Sequence, residues 1–501
     1  MKTIIRIFLG IFLVLGIGYF ILFDYARFSF YWHDETFILQ HLSGRTRPEL
    51  VTTLYDGKVK GRSDLQKFQG VNQDKGLVDT LKSLANTSAD QPPFYFVLLW
   101  YWSKLFGNQE RSLLVLAFGI WLGFLISLYQ LNLTLFNSRV TTLVTTFIIA
   151  ISPRFFGLAN DVREYGLFTL LTVLSSLLLL KGFQFSRQPT RWVLYGFSLA
   201  AGLSTHIFFI FVTIAQLIYF FVNDYFTNYH SKKGFIISYI AAWLTFLPWI
   251  IILILRKTEI YSWAKRPLSF SALLTRWLST FPSLSLPGND ILNYLFLVGL
   301  VISLYLIWKR LDKKYSSYLI LLTVVPFASL AIVDLLLATK YSSVGRFYIP
   351  SLLGASISFG YLVSLGIEQK NKLISSATTL FIRVMIITFL FLIGIGTIKQ
   401  PIIYQGYGSV TVNSYTFIQE SKTPLVVGET WFDLFPLSYK VPENTRYLFV
   451  NSSTPLPTVE TLENYSTVYL INPSPGLKKS LEKQGMQIVS TTNPSLFYLI
   501  H

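Results

Sequence analysis

The chain contains no cysteine. Disulfides, thiol catalysis and thiolate-held metals are therefore excluded, while the compartment stays open. Charge is also scarce. Only 13% of the 501 residues are Asp, Glu, Lys or Arg, about half of the ~25% usual in a soluble domain. That shortage excludes a disordered, collagenous or ordinary cytosolic protein. Acids are the scarcer sign, 25 Asp and Glu against 42 Lys and Arg, for a net charge of +17. Internal repeats and low-complexity tracts are missing as well. What is present is apolar: 52% hydrophobic and 17% aromatic residues, with a mean hydropathy of +0.50. This composition predicts a polytopic α-helical membrane protein. In a soluble chain the surplus of positive charge would suggest nucleic acid. Here no nucleic-acid partner is expected. The basic residues belong to cytoplasmic loops and to sites for anionic headgroups or phosphates.

A bilayer core needs about 20 apolar residues as a helix. Spans are expected near 4–23, 111–131, 139–156, 164–182, 191–204, 206–222, 234–255, 291–308, 316–338, 346–366 and 374–397. The run from Arg191 to Asn223 is too long for one span, and a break is placed at Ser204-Thr205-His206. The first segment follows Lys2 and Arg6 but lacks a good small-x-small cleavage site, so it reads as an uncleaved span. Segment 92–106 is short and rich in Trp and Tyr, which suits an interfacial or re-entrant helix. Charge supports that choice. With 92–106 outside the span count, one set of short connections holds Arg139; Lys181, Arg187 and Arg191; Lys232 and Lys233; Lys309, Arg310, Lys313 and Lys314; and Lys370 and Lys372. The opposite set holds only Arg154, Arg163, Lys340 and Arg346. The positive-inside rule then predicts about eleven spans, with the N-terminus cytoplasmic and the C-terminus outside.

Three extracytoplasmic stretches follow: a loop over 24–110, a second over 256–290, and a tail over 403–501. The tail has five short β-rich runs, Pro424–Val427, Arg446–Val450, Thr467–Ile471, Met486–Val489 and Leu496–Ile500, with a helical stretch at Gly476–Gln484. This alternation predicts a small α/β domain. It contains neither a glycine-rich phosphate loop nor a triad spacing.

Candidate chemistry lies at the outer ends of the spans. The first loop opens with His33-Asp34-Glu35. One carboxylate there suits a general base, and the other a second base, an orienting group or a metal ligand. Solvated surface acids are the plainer alternative. Asn160-Asp161-Val162-Arg163-Glu164-Tyr165 stands at the mouth of the third span, where Arg163 and Glu164 either serve a site or pair with each other. His206 sits at the break, either in a site or satisfying a freed carbonyl. Lys340 through Tyr348 enters the tenth span, and Arg346 there either snorkels or clamps a phosphate. In this topology Asp34, Gln91, Arg163, His206 and Arg346 all reach one face of the membrane.

Taken in order, these segments resemble the C-type membrane glycosyltransferases, in particular the bacterial protein O-mannosyltransferase-like enzymes and the aminoarabinose transferase relatives. Asp34-Glu35 is similar to the family's acidic pair after the first span. Gln91-Pro92-Pro93-Phe94-Tyr95 resembles its His-Pro-Pro-Leu-Tyr element. Ser152-Pro153 with Val162-Arg163-Glu164-Tyr165-Gly166-Leu167 resembles its Ala-Arg-x-Tyr-Ala-Leu element. Gly345-Arg346-Phe347-Tyr348-Ile349-Pro350 resembles its Arg-Tyr-x-x-Pro element. The chain departs from the pattern with Gln91 in place of His and Phe347 in place of Tyr, which bears on the choice of sugar.

The resemblance implies a hexosyl- or pentosyltransferase. It would move a sugar, with inversion, from a polyprenyl-phosphate donor to a hydroxyl of a lipid, glycan or protein acceptor at the outer face of a plasma (inner) membrane. Asp34 would be the catalytic base and Glu35 would orient it or the acceptor. Arg163 and Arg346, with Lys340, would bind the donor phosphate. Gln91, Tyr95, Tyr165 and His206 would line the substrate. No cofactor is demanded, although Asp34 and Glu35 beside a phosphate also admit a divalent metal, Mg or Mn. A flippase of an anionic lipid-linked sugar would instead carry charge through the span interiors, which hold little of it: Asp334 and Arg383 are the main candidates, and a place near a span end suits both.

Overall fold

The computed structural model describes residues 33–185, 187–223, 229–256, 264–265, 268–280, 290–367, 417–451, 454, 462–491 and 496–500. The expected spans at 4–23 and 374–397, Arg383, and the 402/403 boundary lie outside these residues. Two compact units emerge. One contains residues 1–83, 99–113 and 399–501, and the other residues 84–98 and 114–398.

The second unit is helical. Its helices are Arg139–Ile151, Pro153–Phe156, Tyr165–Gln184, Pro189–Leu203, Phe209–Val222, Tyr229–Leu255, Phe270–Thr280, Asp290–Arg310, Lys313–Leu337 and Ile349–Ile367, with most of Glu110–Phe136. Five helices are long and apolar enough to cross a bilayer, and a sixth crossing results if Arg139–Ile151 and Pro153–Asn160, bent by 70°, count as one. The helix at 229–255 exposes Ile237, Ile240, Leu244, Leu247, Ile251 and Ile254. These positions recur at helical spacing and form an apolar stripe turned outward, as contact with lipid requires and contact with water does not. The expected break at 204–206 is present: one helix ends at Leu203 and the next begins at Phe209.

Several buried polar groups inside this unit are paired within it. Thr142, Thr169 and Thr172 return their hydroxyls to the carbonyls of Ser138, Tyr165 and Phe168. Gln216 joins three helices, accepting from the Tyr195 hydroxyl at 2.8 Å and donating to Ser175 Oγ at 3.0 Å. Small residues allow close helix packing. A Cβ on Gly354 would lie 2.9 Å from the Thr323 backbone nitrogen, so nothing larger fits there.

The first unit is built on a five-stranded sheet. Strands form at all five expected runs: β1 Pro424–Gly428, β2 Arg446–Phe449, β3 Thr467–Ile471, β4 Gln487–Ser490 and β5 Leu496–Ile500. The order is β2-β1-β3-β5-β4. β1 runs parallel to β2 and β3, and β5 pairs antiparallel with β3 and β4. Every residue of β1 is buried, as a central strand covered on both faces must be. One face is covered by Leu477 and Leu481 of the Pro475–Lys483 helix. The other is covered by Leu50, Leu54, Leu65 and Phe68, which pack on Val426, Leu434, Phe435, Tyr447, Phe449 and Tyr469.

The first loop thus completes the core of the tail, an association not anticipated from the sequence. Its helices are His33–Leu42, Arg47–Leu54 and Arg62–Gln66. A Thr46/Glu49 capping box starts the second. Lys60 pairs with Tyr447 on the outer side of β2, donating at 2.8 Å and accepting at 3.0 Å. Arg62 Nε donates to the Ser438 carbonyl, and Tyr55 Oη to the Glu429 carbonyl at 2.9 Å. The 92–106 segment forms the helix Phe94–Phe106, too short to span.

Candidate active site

In the helical unit, four chain segments meet at the 204–208 break. The first is the turn before Phe94, whose backbone N–H donates to the Ser204 carbonyl at 2.7 Å. The indole of Trp249 holds the same turn by donating to the Ala89 carbonyl at 2.8 Å. Within the turn, the Gln91 carboxamide oxygen is buried with no hydrogen-bond partner among the described residues. Tyr95 lies just beyond and is buried beside Phe96.

His206 occupies the break itself. Its ring lies flat on Phe168, 4.6 Å between centroids, with Tyr165 at 5.3 Å and Phe347 at 6.4 Å. Nδ1 accepts the Phe208 N–H at 3.1 Å, so the neutral ring carries its proton on Nε2. Burial, aided by the Arg346 charge, pushes His206 down to about 3. At neutral pH it can donate a hydrogen bond but adds no charge.

The arginines come from opposite ends of the unit and meet at one ring. Arg163 lies 5.1 Å and Arg346 5.9 Å from the Tyr165 ring centroid. Each is held differently. Arg163 is forked onto Asp161, Nε to Oδ1 at 2.5 Å and Nη2 to Oδ2 at 2.7 Å. Asp161 has extended backbone, where residues i and i+2 share a side. That geometry lets Asp161, two residues away, fork onto Arg163.

Arg346 lies in a 3₁₀ turn, Gly345–Tyr348, that follows a tightly bonded loop. The buried Asp334 carboxylate accepts from the backbone N–H groups of Tyr341 at 2.8 Å and Ser342 at 2.6 Å, and from the hydroxyls of Thr339 and Ser342. Trp277 donates to Ser342 Oγ at 2.9 Å from another helix. Ala338, at a φ of 52°, ends the helix in the left-handed region. Lys340 follows within this loop. Asp334 is therefore an anchor of the turn rather than a charge facing a transport path. Its signature is legible in retrospect: an acid at a helix end followed by Thr339 and Ser342.

The acidic pair lies in the other unit, in the first turn of His33–Leu42. Successive helical residues diverge by ~100°, so Glu35 is buried, 4% exposed, while Asp34 stays partly open. Among the described residues no cluster of three or more His, Asp or Glu is placed to hold a metal. His33 touches Phe37 and Phe432, at 4.9 and 4.1 Å between centroids. Burial lowers the His33 pKa, against the raising effect of Asp34 and Asp433.

Comparison with known proteins bears on this architecture. ArnT from Cupriavidus metallidurans bound to undecaprenyl phosphate matches with a TM-score of 0.51, over 100% of this chain and 98% of that one, at 10% identity. The fold is that of the C-type membrane glycosyltransferases. Apo ArnT matches with a TM-score of 0.48 at 12% identity, over 82% of this chain and 87% of that one. The archaeal oligosaccharyltransferase AglB from Archaeoglobus fulgidus, in complex with an inhibitory peptide and a dolichol-phosphate, matches with 0.41 at 12% identity, over 82% and 66%. Residues 90–252, about a third of the chain, match the family described as dolichyl-phosphate-mannose-protein mannosyltransferase. That segment of the C-type fold holds Gln91, Tyr95, Arg163, Tyr165 and His206. No curated protein sequence is significantly similar to the chain.

Proposed function

We propose that the chain is an integral membrane glycosyltransferase, transferring a sugar from a polyprenyl-phosphate donor to an acceptor hydroxyl with inversion. The observation that carries this reading is the meeting of Arg163 and Arg346 at the Tyr165 ring, beside a neutral histidine. Two guanidinium groups in a half-apolar, protein-lined setting suit a phosphate whose negative charge grows as it leaves. Arg163 is held by the Asp161 carboxylate and shares the Tyr165 ring with Arg346, and Lys340 lies six residues before Arg346 in sequence. The Nε2–H of His206 offers a further donor to an oxygen of the donor lipid. Gln91, whose carboxamide oxygen is buried and unbonded, suits a sugar hydroxyl donor.

Asp34 takes the base's role on the strength of its motif. The acceptor oxygen attacks the anomeric carbon and its proton passes to the carboxylate. The carbon–oxygen bond to the phosphate breaks, and the polyprenyl phosphate departs with both electrons. A positioned base contributes typically ~10²–10⁴-fold to such a step. Glu35 would orient it. A divalent ion, Mg or Mn, is admitted without being demanded, and Asp34 and Glu35 would be the residues to hold it. We further infer about eleven spans in a plasma (inner) membrane, with the N-terminus cytoplasmic. Residues 1–402 would form the membrane part, its loops at 24–110 and 256–290 and the 403–501 tail would be extracytoplasmic, and chemistry would occur on the outer side.

The test uses full-length protein in lipid nanodiscs with a polyprenyl-phosphate-linked labelled sugar, read by release of free polyprenyl phosphate. Asp34→Asn and Arg346→Ala should each abolish release while the protein stays folded. Full release by both variants would overturn the assignment. Glycan and glycolipid mass analysis of a deletion strain would identify the acceptor.

A further inference from the structure

The Asp34 helix is only ten residues long, about 15 Å, and a helix of that length is not stable by itself in water. Its first turn must be held by something else. An aromatic cluster meets it from the C-terminal segment. Phe37 meets the Trp431 ring edge-on, 4.8 Å between centroids, and stacks on Phe432 at 5.9 Å. His33 meets Phe432 at 4.1 Å. The Arg47 guanidinium lies over Phe37 at 4.8 Å. His33 and Phe37 flank Asp34 in sequence and lie one helical turn apart, so they share a face. Trp431 and Phe432 grip that face.

The gripping residues are themselves rigidly mounted. They open the short helix Trp431–Leu434, three residues after β1 ends. Thr430 and Asp433 bond across its first turn, and Trp431 packs on Phe435 at 5.1 Å. Between β1 and this helix, the Glu429 carboxylate accepts from the Ser474 N–H at 2.6 Å and its hydroxyl at 2.9 Å. A continuous mechanical path therefore runs from the central strand, through Trp431 and Phe432, to His33 and Phe37.

We propose that the C-terminal unit is a positioning clamp for the Asp34 helix, with Trp431 and Phe432 as its positioning residues. It needs no substrate site of its own for this task. It sets the angle at which the first turn presents its carboxylates. The inference concerns the geometry of the helix, and it rests on the proposed function only where it predicts rates.

Full-length protein in nanodiscs tests it by amide hydrogen exchange and by kinetics. Phe432→Ala should speed exchange across 33–42 while β1, at 424–428, keeps its protection. His33→Ala, which breaks the same contact from the other side, should do likewise, and Phe432→Tyr should restore protection. Phe432→Ala should also lower kcat by roughly ten-fold or more, since small misplacements of reacting groups are costly, with little change in the donor KM. Val489→Thr, on the partly exposed β4, should alter neither readout. Unchanged exchange over 33–42 in both Phe432→Ala and His33→Ala would overturn the clamp. So would loss of protection in β1 together with 33–42 in both variants, because that is general unfolding. If Asp34→Asn stays active while the exchange results hold, the proposed base is wrong and the clamp stands.

Discussion

Two regions hold charged groups, and they do it in opposite ways. The arginine-bearing turns of the helical unit are fixed by short polar links. Asp161 grips Arg163 two residues away, and Asp334 gathers donors five to eight residues ahead of it. The acid-bearing end of the helix in the sheet unit instead meets apolar rings from a segment almost 400 positions later in the chain. A polar anchor is strong and fails with the loss of a single atom. An apolar anchor is diffuse, and it fails in proportion to the surface removed.

The sharpest way to break this contrast is Asp334→Asn. It replaces an acceptor facing four donors with a group that is itself partly a donor. Leaving buried groups unmatched should cost about 3 kcal/mol or more. The melting temperature in detergent and donor binding should both fall, while exchange in β1 stays unchanged. Leu54→Ala, on the apolar side, should destabilise the sheet unit by about 2–5 kcal/mol. Accelerated exchange across 424–428 would record that loss, and no loss would mean that the loop does not complete the sheet.

A smaller effect is expected at Asp161→Asn. The shape is kept but the compensating charge is removed, so the donor phosphate should bind more tightly, lowering KM. The less firmly held Arg163 should lower kcat, both by a few-fold. Steady-state kinetics on the lipid donor would separate the two.

A separate effect is a pH dependence. Each region buries one neutral histidine. Burial pushes His41, bonded to Ser83 Oγ, down to about 3 from an ordinary 6.5, and His206 is held equally low. The unfolded chain takes these protons first as pH falls. Stability from neutral burial is complete above 6.5 and is lost progressively between 6.5 and about 3. His41→Gln should flatten that loss for the sheet unit alone, as read by exchange protection at pH 4 and pH 7.

What the sequence made legible follows the same division. Hydropathy and loop charge located the long helices, because a span must satisfy its own backbone wherever its neighbours lie. The alternating runs located all five strands. The break at 204–206 was legible because the apolar run exceeded one membrane thickness. The partner of Arg163 was not, because it depends on extended backbone at Asp161. The place of Asp334 near a span end was legible, but its bonds to Thr339, Tyr341 and Ser342 were not, since hydropathy cannot show that a loop folds back onto it. The union of 47–68 with the tail left no local trace, since an amphipathic face does not name its partner. Grouping by chain position kept apart what the fold joins.

That union has a consequence in time. Gln69 and Ser438 are hydrogen-bonded across 369 positions, and Arg62 and Ser438 across 376. At the ~5–20 residues per second of synthesis, the loop is made roughly 20 to 75 s before the strands that will cover it. Throughout that interval Leu50, Leu54, Leu65 and Phe68 have no sheet to bury them. Nor can Lys60 protect the edge of β2 until β2 exists. The first loop must therefore wait as an unfinished surface, and the strands at 424–500 end that wait.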